Sequence, residues 1–85
     1  MSQFPRLEIE NETTFEKEIN ELFELVKHLH LAYKAKEILY PLREQYQDLM
    51  IGGGANHIWF HHNENGSMSE KRVAIIHFDP YYEIK

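Results

Sequence analysis

The chain has 85 residues, with 14 acidic against 9 basic side chains for a net charge of −5, and it contains 6 histidines and no cysteine. That length suits a single domain over residues 1–85, and 42% hydrophobic residues with 13% aromatics belong to a globular rather than a disordered chain. The missing cysteine excludes disulfides, thiolate catalysis and Cys-ligated metals, the acid excess counts against nucleic acid as a partner, and no apolar run approaches the ~20 residues that span a bilayer.

Met1 to Arg6 hold no apolar stretch of the signal-peptide kind, so a soluble, cytoplasmic protein is expected. Phe4 to Ile9 form a short strand on alternation, with Leu7 and Ile9 on one side and Arg6, Glu8 and Glu10 on the other. Thr13 and Glu16 have the spacing of a capping box and start a long helix. Its apolar positions Phe15, Ile19, Leu22, Val26, Leu29 and Tyr33 follow steps of four and three, a heptad seam. Phe23, Leu25 and Leu31 widen that stripe to suit a helix covering a sheet. Glutamates crowd the first half and Lys27, Lys34 and Lys36 the second, in keeping with the helix dipole.

Pro41 ends or bends this helix near residues 38–40. It opens a second, shorter helix that buries Leu42, Tyr46, Leu49 and Met50, with Gly52 as its C-terminal cap. The helical part thus covers about residues 13–51. Residues 56–79 read as a β-hairpin, His57–His61 and Val73–Phe78 being rich in branched and aromatic side chains around an Asn65-Gly66 turn signal. Asp79-Pro80 ends the second strand, and Tyr81 to Ile84 could add a short extended piece. The order is β-α-α-β-β: an α+β domain in which a long and a short helix pack on a small antiparallel sheet.

Gly52-Gly53-Gly54 does not fit a phosphate loop, which needs a strand before the glycines and a helix after them. A flexible connector is the expectation. The hairpin holds four of the histidines, His57, His61, His62 and His77. His61 and His62 are adjacent and so point to opposite faces. His57 and His61 share a face at ~13 Å, too far apart to hold one ion as a pair. Register decides the rest: a long loop pairing His62 with Arg72 sets His57 opposite His77, whereas a tight Asn65-Gly66 turn moves His77 to the face of Ile58, Phe60 and His62. His57 and His77 are therefore candidate metal ligands in one register alone, with Asp79 or Glu83 as a third group, and no cofactor is implied.

Two functional readings follow. In the first, the protein is a small acidic interaction module that binds and regulates or inhibits a partner protein, and forms a homo-oligomer. Glu8, Glu10, Glu12, Glu16, Glu18, Glu21 and Glu24 stand against Arg6 and Lys17 in the first 24 residues, a charge that would speed association with a basic partner. In the second, a nucleotide, another anion or a metal binds the hairpin, through His57, Trp59, His61 and His77, with Lys71, Arg72, Tyr81 and Tyr82 around it. At 85 residues such a pocket would have to lie between subunits. No arrangement of nucleophile, histidine and acid is visible, so an enzyme is not expected.

Overall fold

In a computed structural model, residues 5–11, 14–29 and 31–78 are described. The last third builds the sheet. Strands β2 (Leu49–Gly53), β3 (His57–Glu64) and β4 (Ser67–His77) form an antiparallel meander, and β1 (Arg6–Ile9) joins the free side of β4. The strand order is β1-β4-β3-β2, preceded in the chain by helices α1 (Glu16–Val26) and α2 (Ala32–Leu42) between β1 and β2. The fold is α+β, with element order β-α-α-β-β-β.

Alternation along the strands selects the core side. Leu49, Ile51, Ile58, Phe60, Ala74 and Ile76 point one way and are buried. Over them lie Ile19, Leu22 and Val26 from α1 and Ala32, Ala35 and Leu39 from α2, each spaced three or four residues apart. His57, Trp59, His61 and His77 alternate with the core residues and point to the other side, where they stay half-buried.

Several sequence expectations change. The long helix is two. α1 stops at Val26, and Leu31 is extended (φ −125°, ψ 124°) before α2 begins. The physical reason is phase: on one continuous helix Ala32, six residues on, would lie about 240° round from Val26, so only a break lets Ala32, Ala35 and Leu39 face the core together with Ile19, Leu22 and Val26. The seam accordingly fails beyond Val26, and Tyr33 is 55% exposed. Pro41 lies inside the last turn of α2 rather than opening a new helix.

Leu49–Gly53 is a strand, not the end of a helix. Its Leu49 and Ile51 gain more by facing the core beside Phe60 than a helix after Pro41 offers, an instance of tertiary packing overriding helix propensity. Gly52 is therefore no helix cap. The helical part ends at Leu42 with a turn region to Asp48. α1 takes Phe15 as N-cap with no side-chain cap bond, two positions later than the capping box implies; Thr13 lies outside the described residues.

The hairpin register combines features of both alternatives. The turn is tight, with Asn65 at φ 52° and Gly66 at φ 80° and Glu64 opposite Ser67. Yet from Phe60 to Glu64 is four residue steps, and from Ala74 to Ser67 on β4 is seven. The surplus is absorbed on β4 by two irregularities, one extra residue at Val73 and two among Ser69–Lys71, on either side of the His61–Arg72 pair. Three extra residues, an odd number, return His57 to a place opposite His77.

Candidate functional site: the open face of the sheet

Helices cover one side of the sheet, and the other carries three rows of side chains across the strands. The first row is His57, His77 and Arg6; the second is Gly52, Trp59, Ile75 and Glu8; the third is Met50, His61 and Arg72. Trp59 stands at the centre. It lies across β2 because Gly52 has no side chain: a Cβ there would sit 2.1 Å from Trp59 Cη2. His61 meets the indole edge-on, ring centroids 4.9 Å apart at 87°. Ile75, flanked by Trp59 and Glu8 in this row, is 5% exposed.

Ion pairs frame the aromatic centre. The Arg72 guanidinium binds Glu10 through two nitrogens, Nη2 to Oε1 at 2.8 Å and Nε to Oε2. That bond holds the Glu10 carboxyl below the usual carboxylate range, against the opposing effect of its partial desolvation, and raises the Arg72 guanidinium in turn. Asn11 Nδ2 donates to the Arg72 carbonyl, which ties the bulged stretch of β4 to the end of β1. His77 Nε2 contacts a Glu8 carboxylate oxygen that Arg6 approaches at 3.8 Å. His61 Nδ1 donates to the Ser69 carbonyl at 2.8 Å; a carbonyl only accepts, so in the neutral ring the lone pair is on Nε2.

The candidate residues thus divide. His57, Trp59, His61, His77 and Arg72 share one face, and Lys71 lies exposed on the adjoining bulge. His62 points to the core side and packs on Phe15, centroids 5.1 Å apart. Tyr81, Tyr82 and Glu12, with the possible third ligands Asp79 and Glu83, lie outside the described residues. Among the described residues, no three His, Asp or Glu side chains gather closely enough to hold a metal ion.

The acidic run also separates into two sets. Glu8 and Glu10 belong to the open face and are engaged by His77 and Arg72. Glu16, Glu18, Glu21 and Glu24 ride on α1, across the sheet; Glu24 pairs with Lys27 at 2.6 Å, and Glu21 accepts from the Tyr46 hydroxyl at 3.4 Å. Sequence reading missed Gly52 as the floor under Trp59, and Glu8 on β1 and Glu10 just beyond it as partners of His77 and Arg72. The alternation of Arg6, Glu8 and Glu10 was the available signal, but pairing β1 with β4 spans more than 60 residues and has no local mark.

Depressions on the surface are small or open. One beside α1, lined by Phe15, Glu18, Tyr46 and Leu49 among others, holds about 90 Å³. A second, beside Glu10, His61 and Arg72, is an open groove of about 460 Å³. Among the described residues, no helix is long and apolar enough to cross a membrane.

No protein-family model, curated protein or solved structure matches this chain.

Proposed function

We propose that this protein is a binding module that docks a partner protein on the open face of its sheet, regulates or inhibits that partner by occupying its surface, and works as a homo-oligomer. The observation that carries the reading is Trp59: a large aromatic laid across Gly52 at the centre of the sheet face that no described helix covers, with Arg72, Glu10, Glu8 and three histidines around it. Binding hot spots are enriched in Trp and Arg and ringed by polar groups that exclude water. Small molecules favour concave sites of several hundred Å³, whereas this face is broad and its neighbouring groove open. The partner would present an apolar patch to the indole and charges of both signs around it, since Arg6 and Arg72 balance Glu8 and Glu10 on this face.

The test is affinity capture from the native host by the wild-type chain, Trp59→Ala, and a Glu16→Lys/Glu21→Lys pair. Capture that fails with Trp59→Ala and survives the charge reversals supports the open face. The opposite pattern transfers the function to the acidic surface of α1, with a basic partner.

A second reading, a metal or small anion bound at the histidines, draws on the direct opposition of His57 and His77. They form a pair not bonded to each other through the backbone, the kind with the closer side chains. Titration with zinc and with a nucleotide, followed by imidazole NMR shifts, decides it: flat titrations remove this reading.

A further inference from the structure

The sheet has two edges, and they differ. The β1 edge follows Pro5 and carries Arg6 and Glu8, with Glu10 just beyond, and charge and proline are devices that discourage strand addition. The β2 edge is Leu-Met-Ile-Gly-Gly, with no charge and no proline. Its hydrogen-bonding direction follows from two bonds: the Gly54 N–H donates to the His57 carbonyl at 3.0 Å, and the Asn63 N–H to the Asp48 carbonyl at 2.9 Å. Even-numbered residues of β2 therefore bond to β3, and Leu49, Ile51 and Gly53 aim their backbone groups outward.

Two of those six outward groups are already engaged within the chain. The Leu49 N–H donates to the Tyr46 carbonyl at 3.0 Å, and Lys36 Nζ reaches the Gly53 carbonyl at 3.5 Å. The Ile51 N–H and carbonyl, the Gly53 N–H and the Leu49 carbonyl have no such partner among the described residues. This remainder is self-complementary. About a two-fold axis through Ile51, normal to the sheet, each Ile51 N–H meets the other copy's Ile51 carbonyl, and each Gly53 N–H meets the other copy's Leu49 carbonyl. A foreign strand continuing the ladder would also call on the Leu49 N–H and Gly53 carbonyl, which are taken; a second copy needs only what is left.

The flank of α2 beside this edge points the same way. Lys36 marks the side of the helix next to Gly53, and Tyr33 and Tyr40 lie three and four residues from it on that side, 55% and 43% exposed. A two-fold normal to the sheet keeps both copies' helices on one layer, so the two α2 flanks meet and cover these tyrosines.

We infer that the protein dimerises through antiparallel pairing of β2 with β2 of a second copy, making one eight-stranded sheet with α2 packed against α2. This deepens the oligomeric part of the proposed function and rests on that part alone. In the dimer both Trp59 faces lie on the same side of the continuous sheet, which makes binding to a partner bivalent.

Sedimentation equilibrium of the full chain from ~1 µM to ~1 mM tests it, with Tyr40→Glu and Met50→Lys as variants. Both positions are partly exposed, so the fold tolerates them, checked by circular dichroism and Trp59 emission. The expected result is a reversible dimer that each variant weakens about tenfold or more, a loss of ~1.4 kcal/mol. In hydrogen exchange, protection of the Ile51 and Gly53 amides should rise with concentration while that of Leu7 and Ile9 stays constant. A wild-type chain that is monomeric throughout overturns the inference, as does a dimer indifferent to both variants. Trp59→Ala should leave the dimer intact, so failure of the open-face reading and failure of this one give different results.

Discussion

Gly52→Ala is the sharpest probe of how the open face is built. The added Cβ would lie 2.1 Å from Cη2 and 2.2 Å from Cζ2 of Trp59. Relaxed carbon pairs need ~3.5–4.0 Å, so the ring must retreat by about 1.5 Å. If that lifts about a third of an indole that buries ~150–250 Å², some 60 Å² returns to water at a cost of ~1.5 kcal/mol. Weakening the edge contact with His61 adds ~0.5 kcal/mol. Alanine regains ~0.5–1 kcal/mol by restricting the unfolded chain, leaving a net loss of about 1 kcal/mol.

Trp59 is the chain's only tryptophan, so its emission reports this site directly. Gly52→Ala should shift emission to longer wavelength and lower the urea midpoint. Gly66→Ala is the control. Gly66 has φ +80° with open space around it, so substitution costs ~1 kcal/mol of backbone strain and should leave the emission unchanged. A Gly52→Ala chain with wild-type stability and emission would refute the claim that the indole rests on the glycine.

Two further outcomes follow from the core and the ion pairs. Leu22→Ala removes a fully buried side chain between α1 and the sheet and should cost ~2–5 kcal/mol in urea unfolding, which is enough to unfold much of a marginal domain. Glu10→Gln breaks the bond to Arg72; with the two side chains 35% and 40% exposed, the loss is held to ~0.5–1 kcal/mol. Because the Glu10 carboxyl is depressed in the folded state, its stabilisation is complete above the ordinary value of 4.5 and disappears as pH falls through the depressed value. The wild-type and Glu10→Gln stabilities should therefore differ at pH 7 and converge in acid, and a difference persisting at low pH contradicts the assignment.

Local chemistry made much of the framework legible in advance. Asn65-Gly66 specifies its tight turn because both positions adopt positive φ. Val73–Phe78 and His57–His61 read as β because branched and aromatic residues suit a pleated, half-buried surface. The core positions Ile19, Leu22 and Val26 followed from helical spacing alone. Each of these depends on neighbours a few residues away, which is the range over which residue type acts directly.

The functional face depended on longer-range packing. Whether Leu49-Met50-Ile51 is helix or strand turns on Phe60 and Ile58 being available to pair and pack with it, and a short apolar run fits either form. His57 came to face His77 through the three extra residues of β4, a shift that burial of Ile58 and Ile76 on the same side enforces, since a register one residue off would turn them to water. Glu8 reached His77, and Glu10 reached Arg72, only because β1 added to β4 across most of the chain. The composition of the open face was thus present in the sequence from the start, but its assembly around Trp59 and Gly52 was set by strand register, which the buried side of the sheet controls.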